Sequence, residues 1–306
     1  MTKTALTFLQ IILFIAVSPF LSGLITKIKN NVRMRKGQSI WQPYFNLLKL
    51  FSKQEVVSGT ASWIFRAAPF IALASCLAAS ALIPVFIFVS PLQRMGDLLA
   101  LIFIFALGRF FMALAALDTG SSFGGMGASR EMFISSLAEP GLCLAIFAIS
   151  LQFGSTSILA FSASHAVSIS SVLAAAALFL VTLAETSRIP VDNQETHLEL
   201  TMVHEAMLLE YSGRSLALIE LSSYIKQMIL FFLIAQVVFP IGMPGAALAP
   251  ISLWFLWYLA RILIIAVVVA LVEVSLAKMR LFRVADFLGF AFVLGIIAVV
   301  CAMLGV

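Results

Sequence analysis

Eight stretches of this chain are apolar almost without interruption: Ala5 to Thr26, Phe65 to Val89, Leu98 to Leu117, Met132 to Leu151, His165 to Leu183, Leu221 to Phe239, Ile251 to Leu271 and Phe287 to Leu304. Each has roughly the 20 residues that a helix needs to cross a bilayer. Hydrocarbon offers backbone amides no water to bond, so only helices and closed barrels can span it. Barrel strands alternate apolar and polar side chains, and these runs are continuous instead. The expected fold is all-α: a polytopic transmembrane helical bundle of about eight spans, forming a single integral membrane domain over residues 1–306. With 62% hydrophobic residues and a mean hydropathy of +1.10, a soluble globule is excluded, because one core cannot hide so much apolar surface.

A net charge of +5 and a pI near 9.3 would point to nucleic acid in a soluble protein, but here the basic residues sit beside the spans and report orientation. The loop after the first span carries Lys27, Lys29, Arg33, Arg35, Lys36, Lys49, Lys53 and Arg66. Later alternate loops hold Arg130, then Arg188 and Arg214, then Lys278, Arg280 and Arg283, while the opposite side has little beyond Lys3 and Arg94. By the positive-inside rule the cytoplasmic loops are about 27–64, 118–131, 185–220 and 276–286, and both termini face out. Nucleic acid is not an expected partner, and lipid is. Cys76, Cys143 and Cys301 lie in apolar runs without close spacing, which argues against disulfides, zinc or iron–sulfur ligation in this chain. The first span is too long for a signal-peptide apolar region and lacks a small-residue cleavage site, so it is expected to be retained. No internal repeat is visible, which counts against inverted-repeat transporter folds.

Two inner loops are longer than a bundle connection requires. In the first, Trp41, Phe45, Leu48 and Phe51 recur at helical spacing, predicting an amphipathic helix lying on the bilayer or under a partner. The second, Ala184 to Glu220, collects Glu185, Arg188, Asp192, Glu195, Glu199, Glu205, Glu210, Arg214 and Glu220 together with His197 and His204. It is expected to be held at a bilayer surface. On a helix, Asp192, Glu195 and Glu199 would share a face; the plainer reading of such a run is a solvated surface. The zinc-protease spacing H-E-x-x-H is absent, and no metal is assigned to the chain. The glycines in D-T-G-S-S-F-G-G-M-G-A-S-R, from Asp118 to Arg130, match no phosphate-loop spacing; a flexible joint or close backbone packing suits them better.

Charges inside apolar spans are costly and therefore candidates for function. Arg109 lies in the third span, Glu139 in the fourth, Glu185 at the cytoplasmic end of the fifth, Lys226 in the sixth, and Arg261 and Glu273 in the seventh. Carboxylates buried beside cations can gain and lose protons, and a chain of them can relay protons. The competing reading is that Glu139 pairs with Arg109 or Arg261 only to avoid a bare charge.

These residues carry a resemblance. Ala184-Glu185, Arg188, Pro190, Asp192, Glu195, Glu199-Leu200 and Glu210-Tyr211-Ser212-Gly213, followed by Glu220, are similar in type and order to a cytoplasmic loop of the eight-helix membrane subunit that floors the quinone chamber of respiratory complex I. In that family the loop joins the fifth and sixth helices. Counterparts occur in membrane-bound group 4 nickel–iron hydrogenases and formate hydrogenlyase. R-F-F-M-A-L-A-A-L-D-T-G-S-S-F-G-G-M-G-A-S-R-E, from Arg109 to Glu131, with Glu139-Pro140 beyond it, resembles the hydrogenlyase branch, as does Arg35 to Glu55. Val191-Asp192, Asn193-Gln194 and Thr201 to Glu205 depart from the complex I pattern.

The resemblance implies a non-catalytic coupling subunit of an oxidoreductase complex in a bacterial or archaeal cytoplasmic membrane. Hydrogenase-like large and small soluble subunits would dock on the cytoplasmic loops, with antiporter-like membrane subunits beside them. No cofactor is expected on this chain; iron–sulfur clusters belong to the partners, with Ni-Fe there and quinone at the interface left open. The relay would comprise Glu139, Glu185, Asp192, Glu195, Glu199, Glu210, Glu220 and Glu273, with Arg109, Arg130, Arg188 and Arg261 as charge partners. Arg35, Trp41, Lys49 and Lys53 would form the docking surface. The competing functions are a quinone-chamber component of an NADH:quinone oxidoreductase and, in another class, a stand-alone multi-pass transporter.

Overall fold

The computed structural model describes residues 2–84, 96–158, 168–192, 202–239 and 251–305. Among these residues the chain forms α1 (Thr2–Val32), α2 (Gln42–Ser52), α3 (Trp63–Leu82), α4 (Leu98–Asp118), α5 (Ser122–Phe153), α6 (Ile169–Glu185), α7 (His204–Leu208), α8 (Gly213–Val238), α9 (Ile251–Ser275) and α10 (Leu281–Leu304). Seven helices, namely α1, α3, α4, α5, α8, α9 and α10, are long and apolar enough to cross a membrane. The shorter apolar helix α6, of 17 residues, makes the eighth of the expected set.

Helix α8 occupies the middle. It packs on α3, α1, α6 and α9, while α5 packs on α6 and α10. From Gln227 to Val237 every residue of α8 is buried, the pattern of a helix ringed by others rather than one with a single apolar stripe. The outer helices keep large apolar side chains exposed on their far faces, among them Phe103, Ile264 and Phe290.

The glycine-rich stretch is helix, not loop. Helix α5 starts at Ser122, with the Ser121 side chain accepting the Gly124 N–H at 3.1 Å, an ordinary N-cap. A Cβ at Gly127 would stand 2.9 Å from the Met207 nitrogen, so glycine here allows α7 to press against the first turns of α5. Of the two sequence readings for these glycines, close packing is the one observed, and the expected loop over 118–131 shrinks to the turn before Ser122.

Helix α2 forms where the aromatic spacing predicts. Leu47 is buried, while Phe45, Leu48 and Phe51 are exposed; Trp41, just ahead of the helix, lies 5.9 Å from Phe20 and 5.5 Å from Tyr44. The chain then returns to the start of α8. Glu55 accepts from the Ser215 hydroxyl at 2.5 Å, and Gly213, at φ +54, lets the Gln54 carbonyl approach where a side chain would collide.

Helix α6 stops short, and that positions the site. Its last residue, Glu185, meets Lys226, which lies well inside α8, roughly 20 Å from the Gly213 end at about 1.5 Å per residue. The turn that follows is consequently drawn into the bundle: Ser187, Arg188, Ile189, Val191 and Asp192 are all buried. The sequence places this segment at the bilayer surface, but its first part descends between the helices.

Candidate functional site: a buried ladder of charges

Helix α6 ends on carbonyls that have no further turn to bond them. The turn supplies the donors itself: Ser187 N–H donates to the Ala184 carbonyl at 3.0 Å, Arg188 N–H to Leu183 at 2.9 Å and Thr186 Oγ1 to Thr182 at 2.7 Å. The negative end of the helix dipole also favours nearby cations, and two are present. Glu185 Oε2 accepts from Arg109 Nη2 at 3.0 Å and from Lys226 Nζ at 2.6 Å. Arg109 Nη1 donates onward to Glu139 Oε1 at 2.8 Å, with the Glu139 side chain 39% exposed. Arg109 thus joins a fully enclosed carboxylate on α6 to one on α5 that opens to the outside of the chain.

A second group lies one step along. Arg188 Nη1 donates to Glu273 Oε1 at 2.6 Å and Nη2 to Gln227 Oε1 at 2.9 Å. Lys29, from the end of α1, approaches the other oxygen of Glu273 at 3.3 Å. A third group closes the series: Lys278 Nζ donates to Asp192 Oδ1 at 2.7 Å, while Asp192 Oδ2 accepts the N–H groups of Val203 and His204 at 3.2 and 3.3 Å.

Two cavities connect the groups. One, of about 100 Å³, is lined by Glu131, Arg109, Glu185, Lys226, Gln227, Arg188 and His204 among others. The other, of about 200 Å³, is lined by Lys29, Arg188, Asp192, Tyr224 and Glu273, and both share Ser22, Ser187, Arg188 and Tyr224. Around the first, Arg109 Nε, Glu185 Oε1, Arg188 Nε, Gln227 Nε2 and His204 Nδ1 are buried without a protein hydrogen-bond partner. Groups of this kind are satisfied by water, and the space admits several molecules. Charge-paired side chains and the two cavities together make a route lined by ionisable groups from Asp192 to Glu139 through an otherwise apolar bundle.

Of the residues picked out by sequence, Glu139, Glu185, Asp192, Glu273, Arg109 and Arg188 stand on this route. Glu220, on α8, is half-buried, Glu210 is exposed before α8, and Arg130 donates to the Met202 carbonyl at 3.0 Å. Arg261 is elsewhere: it donates to Gln236 and the Phe239 carbonyl, so of the two partners considered for Glu139 the structure selects Arg109. Glu195, Glu199 and His197, and the helix face that the two glutamates are expected to share with Asp192, lie outside the described residues. Arg35, Trp41, Lys49 and Lys53 are exposed around α2. Sequence reasoning misses Lys29, Gln227 and Lys278. Lys29 and Lys278 read as orientation charges, and Gln227, polar but uncharged, gives no signal beyond its place beside Lys226.

Comparison with known proteins identifies the family and the fold. The model of the NADH dehydrogenase family matches residues 4–304. Hydrogenase-4 component C of Escherichia coli (strain K12) is 36% identical over 276 residues, covering 89% of this chain and 87% of that one. Formate hydrogenlyase subunit 4 of the same organism is 32% identical, covering 89% and 90%. An NADH-quinone oxidoreductase subunit of Syntrophotalea carbinolica is 26% identical, covering 83% and 80%. A chain in the structure of the membrane-bound sulfane sulfur reductase, an archaeal respiratory membrane complex, has the same fold, with a TM-score of 0.83 at 20% identity over 99% of this chain and 100% of that one. The chain is therefore a multi-pass membrane protein belonging to the NADH dehydrogenase family, whose members include membrane subunits of the NADH-quinone oxidoreductases, of hydrogenase-4 and of formate hydrogenlyase.

Proposed function

We propose that this chain is the membrane anchor and coupling subunit of a complex I-like redox complex of the hydrogenase and formate hydrogenlyase type. It docks a soluble arm of hydrogenase-like large and iron–sulfur small subunits and passes protons toward antiporter-like membrane neighbours. The observation that carries this reading is the ladder from Asp192 through Glu273, Arg188, Lys226, Glu185 and Arg109 to Glu139, with two cavities between its groups. Pairing alone would need only isolated ion pairs; here three charged groups adjoin the same two cavities, and Glu139 opens on the outer face of α5. The greater identity to hydrogenase-4 component C and formate hydrogenlyase subunit 4 than to the NADH-quinone oxidoreductase relative favours the hydrogenase branch. Exposed aromatics on α2 with Arg35, Lys49 and Lys53 beside them supply a face for the soluble arm.

The test is Glu185→Gln in the intact complex. The variant is expected to assemble and to transfer electrons while proton movement into proteoliposomes is lost. Proton movement at the wild-type ratio to electron transfer would rule out the route through Glu185. Hydrogen evolution set against quinone reduction by the purified assembly separates the two redox types.

A further inference from the structure

Arg261 stands apart from the ladder, and its surroundings are unlike those of the other buried cations. Its Nη1 donates to Gln236 Oε1 at 2.6 Å and to the Phe239 carbonyl at 3.1 Å, closing the end of α8. The guanidinium lies 6.0 Å from the centre of the Trp257 ring. Its Nε is buried without a partner, and among the described residues no carboxylate pairs with it. The sequence explains why. At the helix ends on this side the sole acid is Asp97, which accepts from Leu99 N–H and Thr156 Oγ1, and segments 85–95, 159–167 and 240–250 contain no Asp or Glu. An ionised side chain within a bilayer is costly unless it is paired; among the described residues Arg261 has an amide oxygen and one backbone carbonyl but no anion, and Asp97 is engaged elsewhere.

One turn further along the same face of α9 come Ile264 and Ile265, then Val268. They line an apolar crevice of about 520 Å³, which also takes in Phe239 beside Arg261, Ala176 of α6 and Phe290 of α10. Ser171 is its one polar lining residue. Arg261, bonded to the carbonyl of Phe239, which lines this apolar slot, and one helical turn from Ile264 and Ile265, which line it too, therefore stands next to it, with a tryptophan beside it of the kind that marks the headgroup level.

We propose that the crevice between α6, α8, α9 and α10 binds an anionic phospholipid, with an acyl chain along Ile265 and Val268 and the phosphate on Arg261. Charge selects the occupant. A purely apolar molecule or a neighbouring apolar helix would fill the slot and leave the guanidinium unpaired, whereas a phosphate satisfies it with charge-assisted hydrogen bonds. The site is independent of the proton route.

The experiment uses the full complex, purified in mild detergent and exchanged into nanodiscs of equal parts phosphatidylglycerol and phosphatidylcholine. Lipid retained per complex is read by native mass spectrometry. The wild type is expected to hold phosphatidylglycerol in preference to phosphatidylcholine, and Arg261→Gln to lower that preference about fivefold, the worth of one cation at a membrane surface. Ala176→Phe, which plugs the slot and leaves Arg261 in place, should lose the lipid, and Arg261→Lys should keep most of it. Should Arg261→Gln fail to assemble, the last two variants decide. Retention unchanged in Ala176→Phe, or equal in the wild type and Arg261→Gln, overturns the site. So does cross-linking of a Phe290→Cys variant to a partner protein, since protein would then cover the crevice.

Discussion

Arg188 and Glu273, 85 positions apart in sequence, meet at 2.6 Å in the interior, both almost wholly enclosed. Removing one partner of a buried pair exposes the other to the full cost of desolvation, about 3–5 kcal/mol. Arg188→Leu should therefore lower the thermal stability of the purified complex sharply, with Lys29, at 3.3 Å from Glu273, recovering only part. The double variant Arg188→Leu/Glu273→Leu should recover little of this loss, because removing Glu273 takes an ion-pair partner from the enclosed Lys29 in turn. A single variant that melts with the wild type would mean that the pair does not hold the turn after α6.

Lys226 and Arg109 bind the same oxygen of Glu185, at 2.6 and 3.0 Å. Lys226→Met leaves Glu185 paired with Arg109, so assembly should survive. The step that passes through Glu185 then loses a charge-assisted hydrogen bond, and proton uptake by proteoliposomes should slow about tenfold or more, the equivalent of about 1.4 kcal/mol in a barrier. Arg214→Gln, an exposed residue at the start of α8, serves as control and should change nothing. Equal proton uptake in the two variants would place Lys226 outside the route.

The bundle is legible because apolar runs of bilayer length have few other uses, and the ladder's charges are legible because an ionised side chain in such a run needs a reason. Arg109, Glu139, Glu185 and Glu273 are readable for this cause alone. What sequence does not supply is depth. Helix α6 is only 17 residues long, yet its end looks like any boundary of an apolar run, so the descent of Arg188 and Asp192 into the interior has no local signature. The beginning of α5 is hidden for the opposite reason: its glycines read as a breaker of helix, whereas packing of α7 on Gly127 rewards them. Lys29 and Lys278 pass for orientation signals because the positive-inside rule counts charges without asking what they touch.

Phe45 and Leu48 lie exposed on α2 at 58% and 67%, on a helix outside the spans. If this face receives the soluble arm, acidic residues there should remove apolar anchors of the kind that each contribute about 2 kcal/mol or more. Phe45→Glu/Leu48→Glu is expected to leave the membrane part assembled while co-purification of the soluble subunits falls at least about tenfold. Wild-type yield of those subunits would show that the face rests on the bilayer instead.

Tyr211 precedes α8, outside the spans, with its ring stacked on Phe65 at 4.0 Å and its hydroxyl donating to the Phe65 carbonyl at 3.0 Å. Burial pushes its phenol above the ordinary tyrosine value, and the Asp118 and Glu55 carboxylates push it further the same way. At neutral pH Tyr211→Phe should cost about 1 kcal/mol, the worth of the lost hydrogen bond. Because the folded chain holds this proton more tightly than the unfolded one, the stabilising contribution is complete below about pH 10. Above that value the unfolded chain ionises first, and stability falls by up to about 1.4 kcal/mol for each further pH unit. The phenylalanine variant has no such group and escapes the fall, so the melting temperatures of the two proteins should converge within about one unit above pH 10. A gap that stays constant to about pH 11 would mean that the Tyr211 hydroxyl is open to water and does not tie α3 to the start of α8.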